Sequence, residues 1–315
     1  MTNLEAWRRM YHSRRYCRDL TQTELNQRIR DIFLGFLTIE PSGKIGLRKM
    51  GPEGVRWMAL WTHVLEEMAL RHGPFPKGFS REILHAEPFP DLIGALGRRT
   101  ASILAGRNLQ PNTFLIKFGK AKHMRELFEE GKLRVSPATY YAVSTHNGAI
   151  RDDELSLPLS ISLTREDVMK VVLNPQDVPK DLTSRRLDIE YRCGTDYWIY
   201  CLTTVVESRL FVDFNADACV VIRNLDDFSR RLHAAGAAAF PSADFSHGHV
   251  KYIDPLLPET ATIDVCMSKH FRYEYQGEYR FLWRPTHPQA ALPYADLRLG
   301  SLSDIAELVV AEGDG

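Results

Sequence analysis

The chain is predicted to be α+β, with a helical N-terminal domain over residues 1–110 followed by a strand-rich α+β domain over residues 111–315. Three observations carry this expectation. Apolar residues recur at three- and four-residue steps through the front, strand-like runs separated by turn signals dominate the remainder, and the character changes at Asn108, Leu109, Gln110, Pro111 and Asn112. With 315 residues and 44% hydrophobic content the polypeptide can bury a substantial core, which argues against a disordered chain.

In the front, Leu25, Ile29, Ile32, Phe33 and Phe36 place one apolar stripe on a helix, and Trp57, Leu60, Trp61, Val64, Leu65 and Met68 place another. Gly73, Pro74, Pro76 and Gly78 end the second, because proline cannot continue a helix and glycine favours turns. A short helix is expected over 90–105. Past the boundary the pattern predicts a strand over 113–118, a helix over 121–130 stopped by Gly131, and a strand over 132–136 closed by Pro137. Residues 144–154 read as a polar loop with its tip at Asn147 and Gly148. Further strands are expected over 187–193, 198–204, 218–222, 249–253 and 275–283, with a helix over 226–238.

The formal net charge is +0 but uneven, with 17 Lys+Arg against 11 Asp+Glu in residues 1–110 and 23 against 29 beyond. The basic front, above all Arg8, Arg9, Arg14, Arg15 and Arg18, suits phosphate contacts with a nucleic acid or docking of a partner protein. The five cysteines are odd in number and widely spaced, which reads as reduced thiols and implies no metal. The arginine-rich start does not resemble a signal peptide and no apolar run reaches the length of a membrane span. A cytoplasmic protein without a membrane partner is therefore expected. Serine-hydrolase, P-loop and dinucleotide-fold motifs are absent from the sequence.

The chemistry-bearing run is Tyr275, Gln276, Gly277, Glu278, Tyr279, Arg280, Phe281, Leu282 and Trp283, where polar and apolar residues interleave. On a strand Gln276 and Glu278 share a face. Such a pair suits mono-ADP-ribosyl transfer from NAD. The carboxylate holds the nicotinamide ribose as positive charge develops on the sugar, and the amide contacts the acceptor. The plainer alternative is a solvated pair between Glu278 and Arg280. Tyr140 or Tyr141 suits stacking on the nicotinamide. Arg151, Asp152 and Asp153, followed by Glu154, border the acceptor site in this reading, with Arg151 facing a phosphate. The rival is a metal-dependent nuclease, in which these carboxylates hold Mg²⁺ with Glu278, and Lys117 or Lys269 clamps the charge.

Several blocks carry a resemblance: Phe114 to Gly119, then Met124 and Leu127, then Gly131 to Leu133, then Trp198 to Thr203, Leu210 to Ile222, Val250 to Tyr252, and Lys269 leading to the Gln276 run. They resemble a broad family of bacterial domains, some found beside phage-defence genes, over about residues 113–284. More distantly the layout is similar to mono-ADP-ribosyltransferases. That resemblance implies a split mixed β-sheet, Lys117 as the basic residue on the first strand, Thr203 as the hydroxyl on a middle strand, and Glu278 as the late carboxylate beside Gln276. NAD binds such proteins in a cleft without a glycine fingerprint. Lys117 departs from the usual arginine or histidine, and an ammonium contacts a phosphate or ribose oxygen only as a point charge. The implied activity is transfer of ADP-ribose from NAD to a nucleic acid or protein, in anti-phage defence or a toxin–antitoxin system with an antitoxin or regulatory partner. A non-catalytic sensor or interaction module is the alternative. In the transferase reading Glu278→Gln abolishes transfer and leaves the melting temperature nearly unchanged.

Overall fold

The protein is α+β. Its computed structural model describes residues 2–311 except 49–50, 52–53, 75–76, 86–89, 111–112, 143–147, 150–151, 165–183 and 260–261. The front is built from α1 (Asn3–Ser13), α2 (Gln22–Phe36), a hairpin of β1 (Leu37–Ile39) and β2 (Ile45–Leu47), and α3 (Gly54–His72). Thr2 with Glu5 and Thr21 with Glu24 form capping boxes that satisfy the first amides of α1 and α2. The stripes on α2 and α3 then meet, Leu25, Ile29 and Ile32 packing with Trp57, Leu60, Val64 and Met68. Of the helix expected over 90–105 only α4 (Ala95–Thr100) forms. Beyond it Ala101 packs with Leu37 and Ile39 while Leu104 packs with Phe114 and Phe118, and the chain turns to serve these two separate clusters.

The helical core is completed from the other half of the chain. Leu256 and Phe271 lie within it, and Arg28 on α2 forks onto Asp254 at 2.9 and 2.7 Å, both side chains buried. Arg209 donates to the carbonyls of Leu34 and Leu37, and the Thr38 hydroxyl donates to Glu207.

The second half begins with β3 (Leu115–Gly119), α5 (Ala121–Glu130), which ends at Gly131, and β4 (Lys132–Pro137). A separate antiparallel ribbon follows, β5 (Ser156–Thr164) with β6 (Ser184–Arg192). Then come β7 (Trp198–Thr203), α6 (Arg209–Asp213), β8 (Ala218–Ile222), α7 (Leu225–Ala239), β9 (Ala243–His249), β10 (Lys251–Ile253), β11 (Ser268–His270), β12 (Glu278–Pro285), β13 (Ala295–Arg298) and β14 (Ala306–Val310).

The main sheet has eight strands, in the order β13-β4-β7-β3-β8-β14, with β12 also on β7 and β9 on β12. It forks at β7. Pro137 and Ser136 of β4 pair with Trp198 and Ile199 at the start of β7, Ile116 of β3 pairs with Thr203 at its end, and β12 runs along its whole length. The expectation of a mixed sheet is corrected: every pairing in this sheet is antiparallel, and the only parallel pair among the described residues is β10 with β11. The helical crossover from β3 through α5 to β4 does set those two strands parallel to each other, but β7 is inserted between them.

Alternate residues face opposite sides of this sheet. Leu115, Tyr200, Leu202, Val220, Tyr279, Phe281 and Trp283 pack under α5 and α7, where Gly236 gives the Trp283 indole room that a Cβ would fill. Ile116, Phe118, Cys219 and Val221 face the other way, toward Leu104, Leu210 and Phe211. No helix among the described residues is long and apolar enough to cross a membrane.

Candidate active site

The turn entering β12 is tighter than a continuous strand over 275–283. Residues Phe271–Gln276 form a 3₁₀ turn, and Gly277 closes it at φ 52°, the left-handed region that favours glycine. A Cβ at Gly277 would also meet Val205. Gln276 therefore does not share a strand face with Glu278, which is the first residue of β12. The two side chains still meet one cavity, because the turn swings Gln276 back over the sheet. Its amide donates to the Ala149 carbonyl at 2.9 Å. Thr203 lies opposite Glu278 in the β7–β12 register. Its hydroxyl donates to the Gln276 carbonyl and accepts from the Val205 amide at 3.2 Å, so it shapes the turn that carries the other two residues.

Glu278 and Arg280 do not form a solvated pair. Both are buried, at 6% and 0% exposure, on the face opposite Tyr279 and Phe281. Glu278 accepts from Lys269 Nζ at 2.9 Å and from Arg280 Nε at 2.5 Å. A second buried carboxylate, Glu154, lies 3.5 Å from Lys269 Nζ. Arg280 Nη2 makes an ion-pair contact with Glu154 at 2.5 Å, while Nη1 donates to the Cys266 carbonyl at 2.7 Å. The cluster is thus two anions against two cations. Burial alone would raise the Glu278 carboxyl, but Arg280 and Lys269 outweigh it and hold it far below the usual carboxylate range. Such a group is ionised at every physiological pH, which suits electrostatic stabilisation and not proton transfer.

Lys117 starts from the opposite face of the sheet, with Leu115 and Tyr200, and reaches the fork between β3 and β4. Its ammonium donates to the Cys201 carbonyl at 2.7 Å and lies 4.4 Å from the centre of the Tyr200 ring. Burial pushes its pKa down. Where β7 changes neighbours, a lysine thereby occupies a carbonyl that no strand amide claims in the diverging gap.

In front of the fork is a cavity of about 260 Å³. Lys117, Tyr140, Tyr141, Thr203, Gln276 and Glu278 all line it, together with Ile116, Phe118, Leu202, Phe214, Glu154 and Lys269. The Tyr140 and Tyr141 rings meet edge to face at 5.3 Å, and Tyr140 is edge-on to Tyr294 at 5.4 Å. From sequence, Glu154 belongs to the loop bordering the acceptor site or to a metal site, and Lys269 to a metal-site clamp or to the block leading into Gln276; neither is expected beside Arg280. Their signal was Arg280 set between Tyr279 and Phe281, a charge in an apolar strand that requires buried counter-charges.

The acidic loop divides. Arg151 lies outside the described residues. Asp153 caps the start of β5, accepting from the Leu155 amide at 3.0 Å and the Ser156 hydroxyl at 2.6 Å, and does not line the cavity. Asp152 is tied by its backbone amide to the Tyr141 carbonyl at 3.1 Å. Burial, and then the Glu154 charge, push its carboxyl up to about 6. The folded state accordingly binds a proton more readily than the unfolded chain between about pH 4 and about pH 6, and this residue's contribution to stability falls as pH rises through that window. Replacing Asp152 by Asn is expected to remove the penalty. The stability difference between Asp152→Asn and the parent, from urea unfolding across that range, should grow toward pH 6 and be flat above it; a difference independent of pH would rule this out.

Among the described residues no group of three or more His, Cys, Asp or Glu is arranged to hold a metal ion. Among the front arginines Arg8 pairs with Glu66 at 3.1 Å, Arg15 pairs with the fully buried Glu67 at 2.8 Å, and Arg14 donates to the Ser162 carbonyl at 3.5 Å. No family model, curated protein or solved structure matches the chain.

Proposed function

We propose that the cavity at the sheet fork is the nicotinamide end of an NAD site, and that the protein is a mono-ADP-ribosyltransferase-like effector acting on a nucleic acid or protein. The observation that carries this reading is the convergence of Lys117, Tyr140, Tyr141, Thr203, Gln276 and Glu278 on one cavity from segments scattered along the chain. A forked sheet whose strands diverge beside that cavity accords with the split sheet of such transferases. At about 260 Å³ the cavity is just below the usual range for small-molecule sites, about 300–1,000 Å³, so it is sized for the nicotinamide ribose and not for the whole dinucleotide.

In this reading Glu278 supplies fixed negative charge as the bond between nicotinamide and ribose breaks and the sugar becomes cationic. Lys269 and Arg280 keep it ionised and immobile. The tyrosines offer ring faces and edges to the nicotinamide. Lys117, already bonded to Cys201, borders the pocket as a positive wall. The nuclease reading is less well supported, because Glu154 and Glu278 spend their oxygens on Lys269 and Arg280. Anti-phage defence or a toxin–antitoxin system, with a restraining partner, is the setting this chemistry suits.

The test is incubation of the protein with NAD labelled in its adenylate phosphate and with total cell lysate. Label is expected to enter protein or nucleic acid, nicotinamide to be released, and a chelator to have no effect. If neither label transfer nor nicotinamide release occurs, the reading fails; nucleic-acid cleavage that needs a divalent metal and ignores NAD would replace it with the nuclease.

A further inference from the structure

Cys193 and Cys266 are 73 residues apart in sequence, yet their sulfurs lie 3.4 Å from each other. Cys193 follows the end of β6, and Cys266 sits on the short turn before β11. Cys266 is buried and Cys193 is partly exposed, so solvent reaches the pair from the Cys193 side. Neither sulfur lines the cavity described above. The backbone holds both in place: the Cys193 amide donates to Leu155 at 2.8 Å and the Cys266 amide to Asp264 Oδ1 at 3.1 Å. Arg284 completes the surroundings. Its charge acts on both sulfurs, and one of its terminal nitrogens donates to Asp264 at 3.0 Å.

We propose that Cys193 and Cys266 are a redox-active dithiol that hydrogen peroxide closes to a disulfide. Bonding requires the sulfurs to close from 3.4 Å to about 2.05 Å. Cys193 is the attacking group. The neighbouring Cys266 S–H, able to donate to a thiolate, pulls the Cys193 thiol down to about 6, and the same sharing pushes Cys266 up. The Cys193 thiolate attacks one peroxide oxygen, the O–O bond breaks, and hydroxide leaves to be protonated to water. The resulting sulfenic acid is attacked by the Cys266 sulfur, the S–S bond forms, and the hydroxyl departs with the Cys266 proton as a second water. Two thiols thus give two electrons to one peroxide.

The experiment uses the full chain and needs no NAD, so its outcome is independent of the transferase reading. The protein is exposed to a small molar excess of hydrogen peroxide, free thiols are blocked by alkylation, and non-reduced peptides are weighed. A peptide joining Cys193 to Cys266 is expected as the main product, to disappear with dithiothreitol, and to be absent from Cys193→Ser. Recovery of Cys193 as a sulfinic acid, of both residues alkylated after unfolding, or of a link to Cys201 or Cys219 instead, would overturn the proposal.

Discussion

Glu278→Gln is expected to lower NAD cleavage about 100-fold or more and also to cost about 3 kcal/mol of stability. The first effect follows from the proposed role of the carboxylate, since an amide of the same shape lacks the charge that a cationic sugar needs. The second departs from the expectation, drawn from sequence, of a nearly unchanged melting temperature. With Glu278 neutral, Lys269 and Arg280 keep Glu154 as the one carboxylate in direct contact with both, and an under-compensated charge in a dry site is costly. Kinetics must be read well below the melting temperature, with circular dichroism confirming the fold. A folded variant that labels at the parent rate removes Glu278 from the reaction. A melting temperature within about 1 °C of the parent instead refutes the buried-cluster account, because a loss of this size moves Tm by about 5 °C or more.

Arg28→Met is expected to destabilise the protein by about 3–5 kcal/mol, and Arg28→Met combined with Asp254→Leu to recover most of the loss. Arg28 is 5% exposed, forks onto Asp254, and lies over the rings of Tyr16 and Phe271 at 5.5 and 5.2 Å. The single substitution strands a buried carboxylate, while the double one replaces an ion pair with apolar volume among Leu25, Ile29 and Leu256. Urea unfolding of parent, single and double variants measures both effects. A single variant within about 1 kcal/mol of the parent would mean that the pair contributes nothing to joining the helices to the sheet.

Much of the local structure was legible because it depends on neighbours in sequence. The 121–130 helix ends at Gly131 as expected, since a left-handed cap needs glycine, and the apolar run 218–222 forms β8 with every residue buried. The stripes of α2 and α3 were visible in their spacing. What escaped were elements whose composition argues against them. The strand β5 contains Pro158 and several serines, and β9 carries Asp244, Ser246 and Gly248, so each depends on a partner strand for its form.

The candidate site shows the same division. The Gln276 and Glu278 pair was legible in the residues themselves, while Lys117 and Thr203 joined it only through the resemblance to mono-ADP-ribosyltransferases. Only the tertiary structure decided what they touch: that Gln276 leaves the strand at Gly277, that Lys117 crosses the fork to Cys201, and that Glu278 is locked by Lys269 and Arg280. The reason is physical. A charge in an apolar strand calls for counter-charges, but the strand does not name them; for Arg280 one is Glu154, supplied by a segment more than a hundred residues away in the chain.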